Sequence, residues 1–196
     1  MDEKVVFVNG EKAYDLNCKD HITKYITAHL FVSKRSLKKC IEFLNQIRIT
    51  CYEQIIEVYK LEKHKPVKKR KLIKFVSDGF ENYRNAFNKL FYRVAKMTFG
   101  VPIKAKSAGL KHNNNAIERH NGKLDDRLQN MRRGFFCFEG GESFLNLYHI
   151  IHNFVNPHQE LKGKTPAEAA EIHLHLERNK LLSLIKYVRR RNITKR

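Results

Sequence analysis

The sequence predicts an α/β fold: a mixed sheet, made of a three-strand antiparallel meander plus parallel strands, flanked by helices and followed by a helical C-terminal extension. Three observations lead there. Apolar and polar residues alternate through the first third of the chain. From Ser36 the apolar period lengthens to three and four residues. Short apolar runs and helical patterns then take turns to the end.

The first strand is the β-branched run Val5-Val6-Phe7-Val8, which stops at Asn9-Gly10, a strong hairpin signal. In the second strand Tyr14, Leu16 and Cys18 share one face, and Asp15, Asn17 and Lys19 the other. Asp20-His21 makes a turn, and Lys24 to Phe31 forms the third strand. Ser36 is the expected N-cap of a helical region carrying Leu37, Cys40, Ile41, Leu44 and Ile47, then Ile55, Val58 and Tyr59, with a break near Thr50. The run from His64 to Lys71 reads as a solvated basic loop that can also touch DNA backbone.

A buried strand, Leu72 to Val76, ends at Ser77-Asp78-Gly79. A helix from Glu81 to about Leu90 and a short strand near Arg93 to Met97 follow, then a loop from Thr98 to Asn113. Asn114 or Asn115 caps a helix reaching about Met131. Another helix covers Glu142 to about Asn153, and Thr165-Pro166 opens a further one. The last, Asn179 to Tyr187, is expected to dissolve into Arg189-Arg190-Arg191. Phe135, Phe136 and Phe138 read as core residues rather than a base-stacking surface.

Charge narrows the function. Lys and Arg number 39 against 20 Asp and Glu, a net +19, which predicts attraction to a polyanion and makes nucleic acid the expected partner. A basic membrane-surface protein would need a strongly amphipathic Lys-rich helix, and no clear case is present. No apolar window approaches a membrane span, and the start Met1-Asp2-Glu3-Lys4 has no signal-peptide pattern, so a cytoplasmic, nucleoid-associated protein is expected. With 4 scattered Cys and no C-x-x-C pair, the cysteines read as reduced and mostly buried. The pairs His149/His152 and His173/His175 have no Cys partner at zinc spacing.

Two carboxylates stand out from the residues alone. Asp78 lies just past a buried strand's C-terminal end, where open α/β sheets place their ligands, although Asp-Gly also makes an ordinary turn. Glu118 sits in the first turn of its helix, where the dipole alone would favour it. Its i+4 and i+7 neighbours are Gly122 and Asp125, a polar side with room for a ligand. Lys111, His112, Arg119, Lys123 and Arg127 surround that side with cationic groups. A carboxylate in a basic field suits metal-dependent phosphoryl transfer on DNA.

The stretches Ser77-Asp78-Gly79 with nearby Tyr83, and Asn114-Asn115-Ala116-Ile117-Glu118-Arg119-His120-Asn121-Gly122-Lys123-Leu124, closely resemble the DDE-type transposases of insertion sequences. These are relatives of the retroviral integrases with a ribonuclease-H-like fold. Arg133-Gly134-Phe135, Asn153-Phe154-Val155-Asn156-Pro157-His158 and Gly163-Lys164-Thr165-Pro166-Ala167-Glu168-Ala169-Ala170 match in order. Upstream, Asp2-Glu3, Val8-Asn9-Gly10 and Asp20-x-x-Thr23 look like the family's first three strands, with Lys19 replacing a usual apolar residue. The resemblance covers about residues 2–172, leaving 173–196 as a basic helical tail.

That resemblance implies Asp78 as the second acid and Glu118 as the third. By the family pattern Asp2 is the first acid, with Asp20 as its rival. It further implies two Mg²⁺ or Mn²⁺ ions held by these three carboxylates, and Lys111, Arg119, Lys123 and Arg127 as phosphate contacts. DNA strand cleavage and strand transfer, by a homo-oligomer on transposon ends and target, would be the activity. No membrane or small-molecule substrate is implied. The family's usual upstream DNA-binding module is missing from this sequence, so a catalytic core, whole or as a truncated copy, is expected. The alternative is a catalytically inactive basic DNA-binding remnant. A nuclease acting on RNA–DNA hybrids would share the carboxylate logic.

Overall fold

A computed structural model describes residues 1–100, 115–131 and 134–193, without the side chains of 115, 116 and 191–193. Its contacts divide the chain into two compact units, one of Met1–Lys19 with Thr27–Glu142, the other of Asp20–Ile26 with Ser143–Arg196.

In the first unit the alternating segment forms β1 (Asp2–Val8), β2 (Glu11–Lys19) and β3 (Ile26–Val32). Asn9 and Gly10 both have positive φ, 48° and 83°, so the β1–β2 hairpin turns as its sequence predicts. The pairing is antiparallel and runs from Asp2↔Asn17 to Val8↔Glu11. A short β6 (Gly134–Phe135) adds to the other edge of β1 in parallel, giving the order β3-β2-β1-β6. The sequence pattern gave no sign of this two-residue strand. Gly134 is needed there, because a Cβ would come within 2.9 Å of the Phe7 carbonyl oxygen.

The apolar period after Ser36 forms α1 (Leu37–Glu62), with the Ser36 side chain accepting from the Lys39 N–H. The break expected near Thr50 is absent. The Thr50 hydroxyl donates to the Gln46 carbonyl at 2.9 Å, so the residue is accommodated inside the helix. β4 (Lys74–Ser77) and β5 (Lys96–Phe99) then pair in parallel around α2 (Glu81–Phe91). The expected single mixed sheet is therefore two ladders. A hydrogen bond of 2.5 Å from the Met1 nitrogen to the Val76 carbonyl sets β4 beside the start of β1.

One sheet face packs Leu16, Ala28 and Val32 against Phe43, Leu44 and Ile47 of α1 and Tyr83, Ala86, Phe87 and Phe91 of α2. Phe75 of β4 joins them, its ring 5.3 Å from Phe87 and 5.0 Å from Phe91. On the opposite face Asp15 and Asn17 are both 0% exposed. α3 (Asn115–Asn130) packs on β1 and β2. Polar residues so buried must bond to one another. Asn17 Nδ2 donates to the Asp15 carbonyl and to Asp15 Oδ2, both at 3.1 Å.

Among the three phenylalanines expected in the core, Phe135 is buried and Phe138 stacks on Phe31 at 4.5 Å. Phe136 is 92% exposed, in the bend between β6 and the next helix. The cysteines are free, but only Cys40 is buried; Cys18 and Cys51 are half-buried and Cys137 is exposed.

α4 (Phe138–Phe154) belongs to the second unit from Ser143 onward and ends on the Asn153-Phe154 pair. The Asn153 amide clamps the Ile26 backbone, accepting from its N–H at 2.9 Å and donating to its carbonyl at 3.0 Å. Phe154 packs edge-on against Tyr25. Thr165 and Glu168 form a capping box that opens α5 (Pro166–Ala169), as the sequence signals. α6 (Lys180–Ile193) does not dissolve at Arg189 but continues through the arginine run. Arginine is a good helix former, which permits this. Among the described residues no helix is long and apolar enough to cross a membrane.

The α1–α2 layer holds the first unit together. Phe43→Ala, at a fully buried position, is expected to cost about 3–5 kcal/mol. A lower urea midpoint with an unchanged m-value would register that loss.

Candidate active site

Three acids converge in the first unit. Asp2 opens β1, held by its strand pairing and by Asn121 Nδ2, which donates to Asp2 Oδ2 at 3.0 Å. Asp78 follows β4 immediately. The chain reverses there at Gly79, whose φ of +97° is one that L side chains rarely adopt. The Phe80 N–H donates to Asp78 Oδ1 at 3.2 Å and braces the turn. One carboxylate oxygen from each of Asp2, Glu3 and Asp78 lies within 4.8 Å of the others.

The electrostatics follow from this crowding. Burial first, then the Asp78 charge, pushes the Asp2 carboxyl up to about 6. The charge of Glu118 pushes the same way, while the terminal amine and the Asn121 hydrogen bond partly offset the rise. Tyr83, fully buried on α2, has its ionisation opposed by burial and by the charges of Asp2 and Asp78. Its hydroxyl, Ser77 Oγ, Asn121 Oδ1 and Glu3 Oε2 are buried without a hydrogen-bond partner among the described residues.

Glu118 stands exposed in the first turn of α3, close enough to act on Asp2 but outside the 4.8 Å group. A Cβ on Gly122, one turn further, would meet nothing within 4 Å, so the space beside Glu118 is open. Asp125, the next on that side, pairs with Lys4. Arg119, Lys123 and Arg127 are exposed at successive i+4 steps and form a neighbouring basic stripe. Lys111 lies outside the described residues.

Asp20 serves the β2–β3 turn. Its Oδ2 accepts from the Ile22 N–H at 3.1 Å, and from the Thr23 N–H and hydroxyl at 2.7 Å. Glu3 and Asn121 are the residues that sequence reading passed over as members of this site. Asn121 was findable, since it lies three residues from Glu118 and so on the same side of the helix. For Glu3 the sequence carries a contrary signal, because strand neighbours point to opposite faces.

No family model matches the chain, and no curated protein matches it by sequence. In fold it is similar to a chain of the cryoEM structure of the simian T-cell lymphotropic virus intasome in complex with PP2A regulatory subunit B56 gamma. That match has a TM-score of 0.50 at 12% identity and takes in 90% of this chain. This chain spans about half, 54%, of the matched one. The two share a mixed α/β fold.

Proposed function

We propose that this chain is the catalytic part of a DNA transposase or integrase that cuts and joins DNA strands with divalent metal ions. The observation that carries the reading is the meeting of Asp2 and Asp78, from different ladders, within 4.8 Å, with Glu118 near enough to shift Asp2. The fold likeness to the intasome chain and the net charge of +19 support it. Its partner is DNA, both element ends and target, engaged by an oligomer.

The donor set fits Mg²⁺ or Mn²⁺. It consists of carboxylate oxygens, and buried polar atoms without partners surround it. Asp2, Asp78 and Glu118 would hold the ions. A pair of such ions would supply activation of an attacking oxygen and charge stabilisation of a leaving one. The chain's own residues do the rest. Asn121 orients Asp2. Gly122 leaves space beside Glu118 for a phosphodiester. Arg119, Lys123 and Arg127, with Lys111 by sequence, neutralise backbone phosphates and fix position without reading bases. The second reading, an inactive DNA-binding remnant, draws on one observation: Glu118 lies outside the 4.8 Å group.

Plasmid nicking by the purified protein tests both. Nicking is expected with Mg²⁺ or Mn²⁺, lost in EDTA and in Asp2→Asn, Asp78→Asn and Glu118→Gln, while DNA binding survives in each variant. Full activity in Glu118→Gln would remove that residue from the site. Tight DNA binding with no nicking by the unaltered chain would favour the remnant.

Metal affinity should also follow Asp2. Its folded pKa, near 6, lies above the ordinary 3.8, so the folded state holds the proton longer than the unfolded chain. Asp2 therefore lowers metal-free stability as pH rises through that window. A cation binds the ionised form, so affinity should climb between about pH 5 and 7, with proton release. Titration calorimetry in two buffers measures this. Asp78→Asn should lower the Asp2 pKa, visible by carboxyl carbon NMR.

A further inference from the structure

Glu3 presents two unlike oxygens. Oε1 pairs with the Arg35 guanidinium, which stacks over the rings of Tyr14 and Phe80, 4.7 Å from each centroid. Arg35 is further tied by its carbonyl, which accepts from Asn82 Nδ2 at 2.9 Å. Oε2 is buried with no hydrogen-bond partner among the described residues, on a side chain only 8% exposed. A buried carboxylate oxygen left without a donor is costly. The cost grows when an oxygen of the same group lies within 4.8 Å of Asp2 and Asp78.

If Arg35 pairing were the sole purpose of Glu3, turning its second oxygen toward solvent or a donor would be cheaper. Two further buried atoms at the centre are also unsatisfied: the Tyr83 hydroxyl and Asn121 Oδ1, on a side chain that bonds Asp2. Unsatisfied polar atoms around crowded carboxylates are what a hard cation would relieve. Asp2 and Glu3 reach the same place despite their opposite faces because β4 lies beside the start of β1, setting Asp78 next to that edge.

We propose that Glu3 is a fourth acid of the centre, ligating a divalent cation through Oε2 together with Asp2 and Asp78, while Arg35 positions it through Oε1. This rests on the metal-dependent reading above. The arrangement makes one acid nearly neutral toward its neighbours without removing its donor oxygen. Glu3 would thus add a ligand at less electrostatic cost than an unpaired carboxylate.

Binding of Mn²⁺ to the full metal-free chain, followed by electron paramagnetic resonance and by the Mn²⁺-induced rise in unfolding temperature, tests it without a turnover assay. Glu3→Gln is expected to weaken Mn²⁺ binding about tenfold or more, with a metal-free unfolding temperature close to that of the unaltered chain. Arg35→Gln, which keeps every acid, should weaken it by a smaller factor; no change there would remove Arg35 from the proposal. If Glu3→Gln binds Mn²⁺ normally while Asp78→Asn does not, Glu3 is only a partner for Arg35, and the inference falls while the metal reading stands. If Asp78→Asn leaves Mn²⁺ binding intact, or the unaltered chain binds none, both fall. Should Glu3→Gln not fold, Glu3→Asp, which draws the carboxylate back by one methylene, is judged by the same outcomes.

Discussion

Mutual repulsion among carboxylates is the constraint around which the first unit is organised. Like charges within a few ångströms do not gather unless packing, hydrogen bonds or opposite charges outweigh their repulsion. Here the α1–α2 core anchors Tyr83 beside the acids, the Met1–Val76 bond sets one ladder beside the other, and Arg35 takes one of the charges. The raised Asp2 carboxyl records what repulsion and burial remain. Stability is given up at one spot and recovered across a broad apolar layer, a pattern common at functional sites.

The helix bearing Glu118 has three faces with different tasks. Ile117, Leu124 and Leu128 are buried and fasten it to its unit, Asn121 steadies Asp2, and the cationic stripe points outward. Because a helix repeats every 3.6 residues, these tasks interleave in sequence and separate only in space. Any shift of α3 along the sheet would move Glu118, Asn121 and the stripe together. Its docking on β1 and β2 therefore sets the site's register.

Much of this was legible in the sequence, for local reasons. Asn9-Gly10 dictates its turn, Ser36 and Thr165 announce their helices, and Asp78 stands where a buried strand ends. What escaped depends on distant neighbours. Asp15 and Asn17 read only as one polar strand face, and their full burial belongs to the assembled fold. Gly134-Phe135 becomes a strand only because β1 offers a free edge. Glu3 joins Asp2 because a separate ladder ends beside their strand. Motif order led to Asp2, Asp78 and Glu118, but it carried no distances, and the 4.8 Å group is a property of the assembled chain.

The Asn153 clamp has a consequence for how this polypeptide can be divided. The short span 20–26 interrupts one compact unit yet belongs to the other, and the side chain that ties it down arrives more than a hundred positions later. A fragment ending at residue 142 would keep β2 and β3 but strip the Ile26 peptide of both amide contacts, exposing the join between those strands to fraying. The two units thus alternate along the backbone, and no single scission releases the second one whole.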